Sequence, residues 1–236
     1  MNLEDITCPI HSFESFGAVD GPGIRYVIFT QGCNLKCKYC QNRDTWCHQG
    51  GTKYSVKEVL DKILRYKNYI IPSGGGVTVS GGEPLLHLEF LKALFTELKK
   101  EGISTAVDTS GVFYLTPGIK EVIELTDLFL LDIKCINDEI CRDLTGVSNQ
   151  KELEFARYLS ENGKHMWIST HPRTMFVLPM SIARIMIQVP PVKTMKWNSC
   201  GFIIHGAALW DKEKDSKKKT IKSISYCLLN ISFWII

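Results

Sequence analysis

The sequence contains no long hydrophobic run, and none approaches the roughly 18 apolar residues a membrane-spanning helix needs. It also lacks a basic-then-apolar leader, since Met1-Asn2-Leu3-Glu4-Asp5 opens acidic. The expectation is a cytoplasmic protein with no membrane partner. Gly74-Gly75-Gly76 precedes a strand pattern rather than a helix, so it is no dinucleotide fingerprint. Hydrophobic residues at 44% and charged residues at 22% exclude collagen-like, coiled-coil and wholly disordered chains. A length of 236 residues fits one domain or two small ones.

What the chain does have is cysteine. Nine cysteines, an odd number, without a leader point to metal or redox work in a reducing compartment rather than a disulfide framework. Charge is divided unevenly. Residues 169–236 carry ten Lys and Arg against three acids, a balance of +7 that leaves −4 for residues 1–168. A basic tail of this kind reads as a solvated segment, not as a nucleic-acid site.

Residues 1–168 alternate β-rich runs with helical patterns, as a parallel sheet covered by helices requires. The expected strands are Ile24–Thr30, Val77–Ser80, Thr105–Asp108, Leu128–Ile133 and His165–Ile168. Apolar residues at helical spacing recur from Val56 to Leu64 and from Phe90 to Leu98. Shorter helices are expected over Ile119–Leu125, with Pro117 in the first turn, and around Leu153–Leu159, capped by Ser148-Asn149. The tail shows no such rhythm: Pro179, Pro190-Pro191 and the lysine-rich Asp211–Lys222 interrupt it, and it closes on an apolar Ile231–Ile236.

The sharpest motif is Cys33-Asn-Leu-Lys-Cys37-Lys-Tyr-Cys40, directly after the first expected strand. A loop this tight places three thiolates around one point. A structural zinc normally takes four protein ligands, so a zinc reading needs Cys47 or His48 to complete it. A 4Fe–4S cube has four irons to ligate, and three cysteines leave one iron open to a small molecule.

Three further motifs end expected strands, where open α/β sheets and barrels gather ligands. In Ser80-Gly81-Gly82-Glu83-Pro84 the glycines allow close approach to backbone groups that can pair with an amino group or carboxylate, although a plain turn before a helix uses them too. Asp108-Thr109-Ser110-Gly111 and Asp132-Ile133-Lys134 place carboxylates at adjacent strand ends, suited to a hard cation or ribose hydroxyls, beside a lysine suited to a carboxylate. An aspartate so placed is also a common helix cap.

The three-cysteine loop, with Tyr39 before its last cysteine, resembles the signature of the radical S-adenosylmethionine superfamily. Val19–Arg25 upstream and Gln41–Trp46 downstream are similar to the pyruvate formate-lyase activases within the glycyl-radical-enzyme activase group, and the resemblance covers about residues 10–168. It implies an α/β fold, a partial (β/α)6-type parallel barrel. It implies an oxidoreductase in which Cys33, Cys37 and Cys40 hold a 4Fe–4S cluster. The amino and carboxylate groups of S-adenosylmethionine would chelate the open iron, and one electron from the cluster would release methionine and a 5′-deoxyadenosyl radical that takes a hydrogen atom from a glycine of pyruvate formate-lyase. Tyr39, Cys40, Gln41, Gly82, Asp132, Ile133 and Lys134 would line the cofactor, while Asp108, Thr109 and Asp132 would hold a monovalent cation. A flavodoxin- or ferredoxin-type protein would donate the electron. Only Cys47 lies between the loop and Gly81-Gly82-Glu83, so a single cluster is implied, which favours the pyruvate formate-lyase member over its relatives.

Two features depart from the pattern. Gln41 stands where the group more often has histidine. After Ile168 the group's Arg-bearing strand, its Val-Pro-Gly-like turn and its later Leu-Pro-x-His segment do not appear. The expectation is a core at 1–168 and an atypical tail at 169–236, from a shifted reading frame or a gene remnant, that leaves the edge of the last core strand uncovered. The competing readings are an activase of another glycyl-radical enzyme, a zinc-binding module, and an inactive product of a damaged gene.

Overall fold

Four segments are buried along nearly their whole length, as strands at the centre of a sheet covered on both faces must be. In the computed structural model they are the strands β2 (Arg25–Thr30), β4 (Gly76–Gly81), β5 (Ser104–Thr109) and β6 (Leu128–Asp132). The structure describes residues 2–170, 185–189 and 233–235. With β7 (Met166–Thr170) these strands form a five-stranded parallel array in the order β2-β4-β5-β6-β7. Two strands not expected from the sequence extend it antiparallel at the β2 side: β1 (Thr7–Gly17) pairs with β2, and β3 (Thr52–Ser55) pairs with β1.

Helices cross between the parallel strands. Among them α1 (Val56–Leu64) begins at a capping box, in which Ser55 accepts from the Glu58 N–H and Glu58 accepts from the Ser55 N–H. A single turn, α2 (Lys67–Ile70), follows it. The longer α3 (Leu88–Lys100) buries Phe90, Leu91, Leu94, Phe95 and Leu98 against the sheet. Pro117 occupies the first turn of α4 (Pro117–Leu125), as its sequence position suggests, and Thr116 caps it. Two helices follow β6, namely α5 (Asp138–Thr145), capped by Asn137 and ended by Gly146 at φ 84°, and α6 (Gln150–Glu161). The expected cap of α6 differs. Asn149 does not cap it; its amide donates instead to the Cys135 and Ile136 carbonyls at 3.0 and 2.6 Å, pinning the loop after β6.

The main apolar core lies between the helices and one face of the sheet, where Ile28, Val77, Val79, Val107, Phe129, Leu131 and Ile168 point. The opposite face carries a smaller cluster of Ala106, Leu128 and Leu130 with Trp167 against it. Buried Arg25 ties the amino ends of the strands together, donating to the Thr78 hydroxyl and the Val77 carbonyl, both at 2.7 Å.

At the far side the expected uncovered edge is not found. Strand β8 (Ile185–Val189) pairs antiparallel with β7, and β9 (Phe233–Ile235) pairs antiparallel with β8. The β7 backbone groups are satisfied on both sides, as buried strands require. The lysine-rich segment and the prolines of the tail lie outside the described residues.

Candidate radical S-adenosylmethionine site

The site grows from the carboxyl ends of the parallel strands. As β2 ends, Gln31 and Gly32 launch the cysteine loop, and both are buried. Gly32 has a φ of 96°, which an L side chain rarely adopts. The Gln31 amide donates to the carbonyls of Asp44 and Cys47 at 2.9 and 2.8 Å, and the Gly32 N–H donates to Thr45, so both ends of the loop are clamped. The His87 ring donates to the Gln31 carbonyl at 2.9 Å, and burial holds its pKa below the usual histidine value. Within the loop Leu35 is buried as an anchor, its N–H approaching the Cys33 sulfur at 3.4 Å, while the Lys38 N–H donates to the Leu144 carbonyl at the end of α5.

The loop thus gathers Cys33, Cys37 and Cys40. Cys37 is buried and the other two are half-buried. Burial pushes the Cys33 thiol up to about 11 and the Cys37 thiol up to about 12, while the positive charge of Lys134 pulls both down. Both also feel the charge of Cys40, so the three sulfurs share one electrostatic environment. Sheltered thiols surrender their protons when a metal takes their place. Among the described residues no three His, Cys, Asp or Glu side chains converge as ligands of one ion do. Cys47 and His48, one of which a zinc knot would need, are both exposed. An iron–sulfur cube gives each cysteine its own iron, and three sheltered thiols facing a lysine fit it.

Gly82 packs against the cysteine loop. Its N–H donates to Thr30, the Glu83 N–H donates to the Gly32 carbonyl, and a Cβ on Gly82 would stand 2.1 Å from that same carbonyl. Glycine is required here by the loop itself, apart from any ligand. Glu83 is fully buried and links β4 to β5. It accepts from the Thr109 hydroxyl at 2.7 Å, from the Ser110 hydroxyl at 2.7 Å and from the Ser110 and Leu85 N–H groups at 3.0 and 3.2 Å. Burial raises its pKa, and these donors oppose the rise.

The proposed cation ligands already have partners within the protein. Ser80 donates to Asp108 at 2.9 Å, Thr109 donates to Glu83, and Lys134 forms an ion pair with Asp132. Lys134 is 15% exposed, and although burial disfavours its charge, Asp132, Cys37 and Tyr39 hold its pKa above the usual lysine value. Tyr39 reaches the same loop, its hydroxyl donating to the Lys134 carbonyl at 3.4 Å. Ile133 turns its side chain into the helix-covered core, so only its backbone faces the strand end. Gln41 is exposed at the loop's end.

A family model for the radical SAM superfamily matches residues 27–177. The chain belongs to this superfamily. Its radical SAM segment is 51% identical over 160 residues to the pyruvate formate-lyase 1-activating enzyme of Escherichia coli K12, covering 67% of this chain and 65% of that protein. It is 47% identical over 171 residues to the pyruvate formate-lyase-activating enzyme of Listeria monocytogenes, covering 70% of this chain and 69% of that one. The chain therefore spans just under two thirds of the Escherichia coli relative. Among solved structures, Streptococcus suis SuiB bound to S-adenosylmethionine superposes with a TM-score of 0.51 at 21% identity, over 65% of this chain and 34% of that one, a likeness of fold. The cofactors of radical SAM proteins are a 4Fe–4S cluster and S-adenosylmethionine.

Several residues that build this radical SAM site were not singled out from the sequence. Glu83 and Ser110 lie within quoted motifs without a role assigned to them, Gln31 lies just before the cysteine loop, and their polarity at strand ends was the available signal. Glu152 on α6 had none, because it sits in an ordinary helical pattern. It is fully buried and accepts from the Lys134 N–H at 3.2 Å and from the Cys135 N–H, so it holds the loop that carries Lys134. Burial pushes its pKa up to about 8.

Proposed function

We propose that the chain is an S-adenosylmethionine-dependent activase of pyruvate formate-lyase, working under anaerobic conditions. The observation that carries this reading is the 51% identity over 160 residues to the Escherichia coli activating enzyme. When bound, the cluster supplies the electron that cleaves the sulfonium of S-adenosylmethionine, giving methionine and the 5′-deoxyadenosyl radical that removes a hydrogen atom from a glycine of the partner.

The chain's own residues prepare for that step. Cys33, Cys37 and Cys40 would hold the cluster, with one iron left for S-adenosylmethionine. Leu35 and Cys37 are buried, so water has little access to the base of the loop. Lys134 places a positive charge beside the thiolates and a ligand carboxylate. Tyr39 and Glu152 fix the loop that carries Lys134, while Glu83 fixes the rim formed by β4 and β5. Residues 1–168 would act as the catalytic core, and the basic segment 169–236 follows, with the end of β7 and strands β8 and β9 joining the same sheet. A one-electron carrier of the flavodoxin or ferredoxin kind would feed the cluster in the cytoplasm. Among the described residues no helix is long and apolar enough to cross a membrane.

The test mixes anaerobically reconstituted, reduced protein and S-adenosylmethionine with pyruvate formate-lyase, and separately with another glycyl-radical enzyme. A glycyl radical signal on pyruvate formate-lyase alone supports the reading. A signal only on the other enzyme transfers the assignment to that partner, and zinc in place of iron in the purified protein refutes both.

A further inference from the structure

Residues 35–38 alternate between interior and solvent: Leu35 and Cys37 are buried, while Lys36 and Lys38 are exposed. The two lysines flank Cys37 in the chain, so each stands one Cα step, about 3.8 Å, from the backbone that carries this thiol. On its inner side Cys37 feels the charges of Lys134 and Asp132 at the end of β6. The cysteine therefore sits between two faces. The inner one looks to the strand ends and the cofactor rim, and the outer one is solvent-facing backbone with a lysine on either side.

Arg43 adds a third charge to the outer face. Its Nη2 donates to the Lys38 carbonyl, and its guanidinium lies over the Trp46 ring, 5.7 Å from the centroid. Residues 34–43 thus carry three cations and no acid, within a core (1–168) whose overall balance is −4. Of the carboxylates beside this patch, Asp143 pairs with Lys38 at 2.6 Å and Asp44 bonds His11 at 2.8 Å. The Lys38–Asp143 pair is open to water at 61% and 70% exposure. Such a pair is held weakly, and a carboxylate of a partner can take its place.

We propose that this outer face of the cysteine loop is the docking surface for an acidic one-electron carrier protein; the inference rests on the reading of Cys33, Cys37 and Cys40 as cluster ligands given above. Electron transfer through protein slows steeply with distance, so the donor has to come close to the cluster. The inner face is the one assigned to S-adenosylmethionine, and the other approach to Cys37 crosses only the loop backbone between Lys36 and Lys38. Opposite charge draws an acidic carrier to this point and orients it. A small patch of exposed lysines suits the brief, weak encounter by which a carrier delivers an electron and leaves. In the exchange the reduced carrier loses one electron and the cluster gains it, and no bond forms or breaks.

The experiment follows bleaching of the oxidised cluster in the anaerobically reconstituted full chain, mixed at low ionic strength with reduced flavodoxin, an acidic flavoprotein. The loop variant Lys36→Glu/Lys38→Glu is compared with the unaltered chain and with Lys67→Glu/Lys100→Glu. The latter makes the same change in net charge on α2 and at the end of α3, beside the amino ends of the strands. Light-activated 5-deazariboflavin, a small uncharged reductant, is the second probe, and iron content is read alongside. Reduction by flavodoxin should be about ten- to a hundredfold slower in the loop variant and change less than about twofold in the other. Added salt should slow the unaltered chain toward the rate of the loop variant, because it screens the attraction. The deazariboflavin rate and the iron content should be the same in all three proteins. Equal flavodoxin rates in the unaltered chain and the loop variant overturn the proposal, as does equal slowing in both variants, which marks a general effect of net charge. If the loop variant loses iron or slows with deazariboflavin, Lys36→Gln/Lys38→Gln decides in its place: its iron-loaded form slows about threefold with flavodoxin, or the proposal fails. An unaltered chain that deazariboflavin reduces and flavodoxin does not also overturns it. An unaltered chain that takes up no iron–sulfur cluster refutes the reading of the cysteines itself.

Discussion

Glu83 shows how much one buried carboxylate can organise. Its side chain collects two hydroxyls and two backbone N–H groups from β5 and its own turn. Truncating Glu83→Ala strands these donors in a dry interior, and the expected loss is about 3 kcal/mol, read by denaturant unfolding. Gly82 behaves differently. In Gly82→Ala the new Cβ meets the Gly32 carbonyl at 2.1 Å, next to Cys33, so iron loading and S-adenosylmethionine affinity should fall together. Affinity lost at full iron content would instead assign Gly82 to the ligand alone. Glu152 carries a pH signature. Its pKa rises from 4.5 to about 8 because burial penalises its charge, so the folded protein keeps a proton that the unfolded chain releases. Stability from this group is complete below about 4.5 and is lost as pH climbs toward 8. The stability of Glu152→Gln relative to the unaltered protein should therefore increase with pH across that window, as thermal melts of both proteins will show. At this scale the sequence was legible wherever residue type itself signals chemistry, as with the three cysteines. It was silent on Glu152, which matters only for what the fold packs around it.

At the scale of elements, the cysteine loop is held by backbone contacts more than by charge. Lys38 illustrates the contrast, since its N–H bonds the end of α5 at 2.8 Å while its ammonium pairs with Asp143 in the open, at 61% and 70% exposure. Replacing Lys38 with Ala keeps the backbone bond and should cost less than about 1 kcal/mol. Asn137→Ala removes the cap of α5, whose side chain accepts from the Ile140 N–H, and should cost about 1 kcal/mol while loosening the loop's anchor. Chemical denaturation of the two variants checks the order. The five parallel strands could be read because short β-rich runs alternate with helical spacing across residues 1–168. Strand β1 could not, because its exposed and buried residues follow no strict alternation and its register shifts twice against β2. Helix α5 escaped notice because it is short, buries only Cys141 and Thr145, and leaves Ile140 exposed.

For the whole molecule, the expected α/β class with a partial parallel barrel agrees with the five parallel strands and with the superfamily match. The expected bare edge failed for a simple reason: any strand with β propensity can satisfy an open ladder, in either direction. An antiparallel β8 there ends the parallel series at β7 and gathers the site's motifs on the strands already present. Three cysteines on one loop are proposed to support reductive cleavage of S-adenosylmethionine. Its most direct test is the yield of 5′-deoxyadenosine from the anaerobically reconstituted, reduced chain, compared with Cys37→Ala. The unaltered chain, carrying about four irons per molecule, should yield 5′-deoxyadenosine, and the variant neither product nor cluster. A full cluster and equal product in Cys37→Ala, or an iron-loaded chain that forms no 5′-deoxyadenosine, would contradict it.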